Sequence, residues 1–330
     1  VSVAATLVQT ARFDENERLI DLLKQTSNEY EHSMVQRGHY LAMLSSARHL
    51  NKSSGLEEMW SGCSFINDLK KVVFGGQDKI ECGTVFEIFK SIRNKVLRSE
   101  PLIMSTTDRP NLKKSVTTIK SFYNSSPSVF SEIAIEEKRF EKPMSWLIES
   151  NVNFCAASFK AVLEDDPDAA VYSVLGKYLQ DEYLHSKIRE KGGAYGSGAV
   201  YSPSGESFKF FSYRDPRLSG TINDFQDSIN IFLDSKHNPS RLEESILGVI
   251  RNLDSSRRPV AEASRSFNCI LNGKSDDSLA NFRNNVLNTD FSKLIKVAEN
   301  LAGQKPNISI ISHDANIEEL KKNKFVFDKI

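Results

Sequence analysis

The adjacent glycines Gly192-Gly193 constrain this chain's fold more than any other feature. Upstream of them Val171, Val174, Leu175, Tyr178, Leu184 and Ile188 recur at helical spacing. They predict a buried helix opened by Asp166-Pro167-Asp168, an N-cap with a proline in the first turn, and running to about Lys191. Downstream, residues 194–201 and 207–213 read as strands around the turn Ser202-Pro203-Ser204-Gly205. The chain must therefore leave a helix and enter a hairpin within a few residues. An apolar strand over 146–162 precedes the helix. Helices over 221–236, 240–254, 258–272, 276–287 and 290–303 follow the hairpin, then a strand at 307–312 and a helix at 316–322. That order predicts an α+β unit, an antiparallel sheet with helices on one face.

The 330 residues leave room for a second unit in front. Helices are expected over 14–50, 55–73 and 84–98, with Gly38 the weak point of the first. Leu102-Ile103-Met104-Ser105 reads as a strand, and Asp108-Arg109-Pro110 opens a further helix. One strand makes no sheet, so this unit is expected to be truncated at its N-terminus, its partner strands lying upstream of Val1. Ser125-Ser126-Pro127-Ser128 and the charged Glu136-Glu137-Lys138-Arg139 mark a linker. The expected division is a truncated helical unit over 1–125, a linker over 126–143 and a complete α+β domain over 144–330.

Composition excludes several function classes. Lys+Arg and Asp+Glu balance at 43 each, and no basic stripe interleaves with aromatics, which argues against a nucleic-acid partner. No apolar run approaches a membrane span. Cys63, Cys82, Cys155 and Cys269 are scattered with no CxxC pair, so they read as reduced thiols, buried or half buried. Among the six histidines no His-x-x-Glu-His or His-Glu-x-x-His occurs. His32 and His39 lie one heptad apart, but Gln36 and Met43 supply no third ligand, and helix packing explains both. No zinc is expected to bind this chain by itself.

The remaining signal is Lys187-Ile188-Arg189-Glu190-Lys191-Gly192-Gly193-Ala194-Tyr195. One reading is structural: cations suit a helix C-terminus, Gly192 suits a left-handed cap, and Tyr195 is an ordinary strand aromatic. The other is chemical. A sharp turn brings the Arg189 guanidinium and the Tyr195 phenol, two hydrogen-bond donors, to one sheet edge, where they can hold a carbonyl or an oxyanion. Neither is a nucleophile or a base, so the reactive centre would lie elsewhere. Arg214 and Asp215 read as a structural ion pair at a strand end, with substrate contact the alternative.

Residues 187–195 are similar to the pattern of the last domain of the pitrilysin/insulinase (inverzincin) zinc peptidases. Tyr213-Arg214-Asp215-Pro216 resembles a segment of the presequence-protease and falcilysin subgroup. Ser33-Met34-Val35-Gln36-Arg37-Gly38-His39 and the helices after it resemble the latter part of that subgroup's third domain. The resemblance implies two pitrilysin/insulinase-type domains, the C-terminal half of a metalloendopeptidase that encloses and degrades short unstructured peptides. It implies zinc in the full-length enzyme, bound by the N-terminal half of the same polypeptide, and none in this chain, which should be inert alone. Arg189 and Tyr195 are the residues implied to touch substrate and stabilise the oxyanion. Bacterial cytoplasm or a mitochondrial or plastid matrix is the implied setting. The family's zinc-free partner and scaffold subunits supply the alternative role.

Overall fold

The computed structural model describes residues 2–74, 81–98, 102–122 and 144–330. They form two compact units that interleave along the chain. The smaller takes the described parts of Val1–Thr26, Val72–Glu136 and Ser256–Ser275; the larger takes those of Ser27–Lys71, Glu137–Ser255 and Asp276–Ile330. The expected linker lies outside the described residues, since 123–143 are not among them.

The larger unit is built on a six-stranded sheet. Its strands are β1 (Met144–Leu147), β2 (Phe154–Lys160), β3 (Gly196–Ser202), β4 (Ser207–Tyr213), β5 (Asn307–Ser312) and β6 (Val326–Lys329), in the order β3-β4-β2-β5-β1-β6. The first four in that order pair antiparallel, as expected; β1 joins both β5 and β6 in parallel. The single strand expected over 146–162 is two. The Ser150 hydroxyl accepts from Val152 N–H at 3.2 Å and turns the chain. That lets β5 enter between β1 and β2, so Ile311 faces Trp146 on one side and Phe154 on the other.

Strand alternation gives the sheet two apolar faces. Cys155, Ala157, Phe159 and Ile310 pack with helices α7 (Asp168–Leu179), α8 (Ser219–Asp234) and α12 (Phe291–Ala302). Trp146, Phe154, Ala156 and Ile311 pack on the opposite side with Met34, Leu41 and Ala42 of α2 (Asn16–Ala47) and Cys63 and Ile66 of α4 (Cys63–Phe74). Helices thus cover both faces where one was expected, because a strand apolar on successive residues must be buried on both sides. Polar contacts fix the seam: Trp146 Nε1 donates to Ser45 Oγ at 2.9 Å, and the Ser46 and Ser158 hydroxyls meet at 2.6 Å. Gly38 is a contact point and no weak point, since a Cβ there would overlap the Phe154 ring.

The expected second helix is also two. α3 (Lys52–Ser61), capped by Asn51 Oδ1 accepting from Ser54 N–H at 2.8 Å, stops at Gly62 before α4 begins. Buried Glu58 joins them, its carboxylate accepting from the N–H (3.0 Å) and hydroxyl (2.9 Å) of Ser64.

The smaller unit contains α1 (Ser2–Thr10), the first turns of α2, α5 (Cys82–Arg98), α6 (Leu112–Phe122) and α10 (Pro259–Leu271). Its core is slight: Leu19, Cys82 and Phe86 are buried, with Phe13, Ile20, Leu23, Val85 and Phe89 packed on them. The strand expected at Leu102–Ser105 does not form; 102–108 are irregular, and no strand occurs among the described residues 2–122. A lone extended segment has nothing to pair with.

Candidate functional site

The turn at Gly192-Gly193 is built by a change of helix type. α7 passes into a π-helix over Gln180–Glu190. Its last bonds run Lys191 N–H to Ser186 C=O (3.0 Å), Gly193 N–H to Arg189 C=O (3.1 Å) and Ala194 N–H to Ile188 C=O (3.1 Å). Gly193, at φ 83°, carries the left-handed cap expected of Gly192. Gly192 is needed for space, as a Cβ there would overlap the Arg217 guanidinium. Such π segments occur often at functional sites.

Leu184 and Ile188 are fully buried, which turns His185 and Arg189 outward. Arg189 Nη1 lies 3.2 Å from His185 Nε2, and His185 Nδ1 lies 3.5 Å from the Glu190 carboxylate. Tyr195 is 70% exposed, its side chain outside the core, while Ala194 before it is buried. Its N–H donates to the Arg214 carbonyl at 3.3 Å, and its ring meets Tyr213 edge-on with centroids 5.7 Å apart.

Tyr213 is the hub that sequence reasoning missed as such. Besides Tyr195, its ring contacts His39 (4.8 Å) and Phe154 (5.8 Å), and the Arg214 guanidinium lies 5.3 Å from its centroid. His39 is therefore an aromatic packing residue on α2, and burial lowers its pKa, which favours neutral imidazole. The strand period gave part of the signal: Phe208 and Phe210 point to one face, Phe211 and Tyr213 to the other. That α2 would bring His39 there was not readable from local pattern.

The expected Arg214–Asp215 ion pair is not what forms. Asp215 is fully buried and holds the turn by itself, accepting from Arg217 N–H (2.9 Å) and Thr221 Oγ1 (2.7 Å). Its backbone N–H and C=O both pair with Asn153 at 2.8 Å. Burial raises its pKa, against the pull of those hydrogen bonds. Asn153 is structural too, its Oδ1 accepting from Ser312 Oγ and Asn316 Nδ2. Beside the His185 imidazole and the Glu190 carboxylate, what faces solvent is a set of donors, the Arg189 and Arg214 guanidiniums and the Tyr195 hydroxyl. Among the described residues no grouping of three His, Cys, Asp or Glu side chains fit for a metal occurs.

This fold is shared with solved M16 peptidase structures. The peptidase M16 inactive domain from Pseudomonas fluorescens matches with a TM-score of 0.54 at 13% identity, covering 89% of this chain and 71% of that one. Pitrilysin matches with a TM-score of 0.56 at 14% identity, covering 94% of this chain and 33% of that one. In sequence, the mitochondrial presequence protease of Eremothecium gossypii is 26% identical over 301 residues, covering 88% of this chain. The chain spans 30% of that relative's length. The family model for the PreP C-terminal domain matches residues 147–313, and that for the region associated with M16 peptidases of subfamily C matches residues 1–72. The chain belongs to the M16 peptidase family, of which it represents a C-terminal portion of the presequence-protease type.

Proposed function

We propose that this chain is the non-zinc half of a metalloendopeptidase that degrades short unstructured peptides, with Arg189 and Tyr195 as its contribution to the active site. The observation that carries the reading is the outward presentation of both side chains from one helix-to-strand turn, with Tyr195 exposed while its neighbours Ala194 and Ile188 are buried. A strand aromatic kept for packing would sit in the core. A phenol and a guanidinium held in a solvent-facing turn can donate to a peptide carbonyl and hold the negative charge that grows on its oxygen during hydrolysis. On this reading metal and base belong to another part of the parent polypeptide, and this half is inert alone. A mitochondrial setting is supported by the named compartment of the presequence-protease relatives.

The test is peptide cleavage by the full-length protein. Tyr195→Phe removes one donor with little change in volume, and losing one oxyanion donor typically costs about 10²- to 10³-fold in kcat. Thermal unfolding should be unchanged, because the hydroxyl is not part of the core. Arg189→Lys keeps the charge but loses the planar fork, and turnover should fall as well. Near-normal kcat/KM in both variants would return these residues to a cap and a strand aromatic, and leave a scaffold role as the better reading.

A further inference from the structure

Arg214 has no structural duty that accounts for its conformation. It adopts φ 51°, a left-handed backbone that costs a residue with a Cβ and that persists only where something holds it. The hold comes from both sides: Tyr195 N–H donates to the Arg214 carbonyl, and the next residue, Asp215, is locked to Asn153. Those contacts involve backbone alone, so glycine would satisfy them better. The side chain projects instead over the Tyr213 ring, 5.3 Å from its centroid, and is exposed. Among the described residues no carboxylate is in ion-pair range of it. The neighbouring Arg217, by contrast, pairs with Asp224 at 2.9 Å. A guanidinium held over a phenol ring by cation–π attraction keeps N–H groups free to donate, and its planar fork matches the two oxygens of a carboxylate. The same Tyr213 ring meets that of Tyr195 in a T-shaped contact, so one aromatic residue touches both donors.

We propose that Arg214 is a specificity-determining residue that binds a carboxylate of the peptide substrate beside Tyr195. The proposal rests on the peptidase reading above. The carboxylate is an acidic side chain or the peptide's C-terminus, and the two sources are separable by experiment.

One peptide sequence is made in four forms: Glu or Gln at a scanned position, each with a free or an amidated C-terminus. kcat/KM is measured for the full-length protein and for Arg214→Ala, Arg214→Gly and Arg214→Glu. The natural protein should favour the carboxylate form by about tenfold. The ratio should collapse toward one in the Ala and Gly variants and invert in Arg214→Glu. A ratio lost in the Glu/Gln pair assigns the site to an acidic side chain; one lost in the acid/amide pair assigns it to the C-terminus. Arg214→Gly relaxes the backbone and should unfold no lower than the natural protein. A ratio unchanged in all three variants, or no carboxylate preference to begin with, overturns the proposal. Normal turnover in Tyr195→Phe alongside an Arg214-dependent ratio would overturn the role of Tyr195 and leave Arg214 standing. If no peptide is cleaved at all, the peptidase reading falls. Equilibrium binding of the same four peptides then decides Arg214: carboxylate-dependent binding lost in Arg214→Ala supports it, and equal binding of all four refutes it.

Discussion

The two units use the same kind of helix and reach different ends. In the larger one a sheet gathers the helices into a core, and Phe154, Phe159, Phe208, Phe210 and Phe225 lie at or below 1% exposure. In the smaller one, α5 buries Phe86 but leaves Ile88, Ile92 and Val96, spaced as one stripe, exposed. α10 likewise has no buried residue, with Val260, Ile270 and Leu271 exposed. Helical periodicity therefore specifies a helix and its apolar stripe, but a sheet is what turns stripes into a core. The candidate site sits in the unit that has one. A donor can be held in a fixed, exposed position only if the backbone behind it is anchored, and Asp215 and Asn153 supply that anchor at zero and 4% exposure.

The contrast is open to direct attack by truncating one phenylalanine in each unit. Phe154→Ala should cost about 3–5 kcal/mol, because strands and α2 on both sides of the ring cannot collapse into the space. Phe86→Ala in the smaller unit should cost under about 2 kcal/mol, since its few neighbours can close over the gap. Equal costs in denaturant unfolding would break the comparison.

A pH effect should follow in the larger unit. Burial raises the Glu58 carboxyl from its ordinary 4.5 to about 7, opposed by the Ser64 hydrogen bonds and by Arg48, with buried Cys63 also facing it. Because the folded value is the higher one, the folded state holds the proton more tightly between those two values. The associated stability is full below about pH 4.5 and is lost as pH rises through about 7. The total is on the order of 3 kcal/mol, with a slope near 1.4 kcal/mol per pH unit inside the window. Glu58→Gln should flatten that slope in unfolding curves from pH 5 to 8, and an unaltered slope would remove Glu58 as its source.

The smallest effect is a reversal of sign. Gly38→Ala places a methyl in the Phe154 ring and should cost about 1–3 kcal/mol. Gly83→Ala in α5 meets nothing within 4 Å and should stabilise by up to about 1 kcal/mol through helix propensity. Matching signs in thermal unfolding would mean the two helices are packed alike.

Much of the fold was legible because it is locally encoded. The helix expected over 276–287 appears as Asp276–Leu287, and the strand at 307–312 as Asn307–Ser312. The turn that Arg189 and Tyr195 flank was legible for the same reason, since a double glycine between periodic patterns marks a turn whatever surrounds it; the chemical role proposed for the two residues came from the resemblance of residues 187–195 to the peptidase pattern. The misreadings share one cause. The strand at 102–105 and the single strand over 146–162 both depended on partners distant in sequence. Residues 154–159 did carry a hint, being apolar without alternation, the mark of a strand covered on both faces.

By itself, then, the sequence determined most helices and strands of the larger unit, that a sharp helix-to-hairpin turn exists, and which side chains flank it. Periodicity and turn chemistry act within a few residues, so they are complete in the local text. Tertiary structure alone decided that α2 would close the second face of the sheet and that β5 would enter between β1 and β2. It also decided that Asp215 would lock to Asn153 and Thr221 and leave the Arg214 guanidinium exposed beside the Tyr213 ring. Those outcomes come from burying apolar surface and satisfying buried polar groups across dozens to hundreds of residues, and no window of sequence contains both partners.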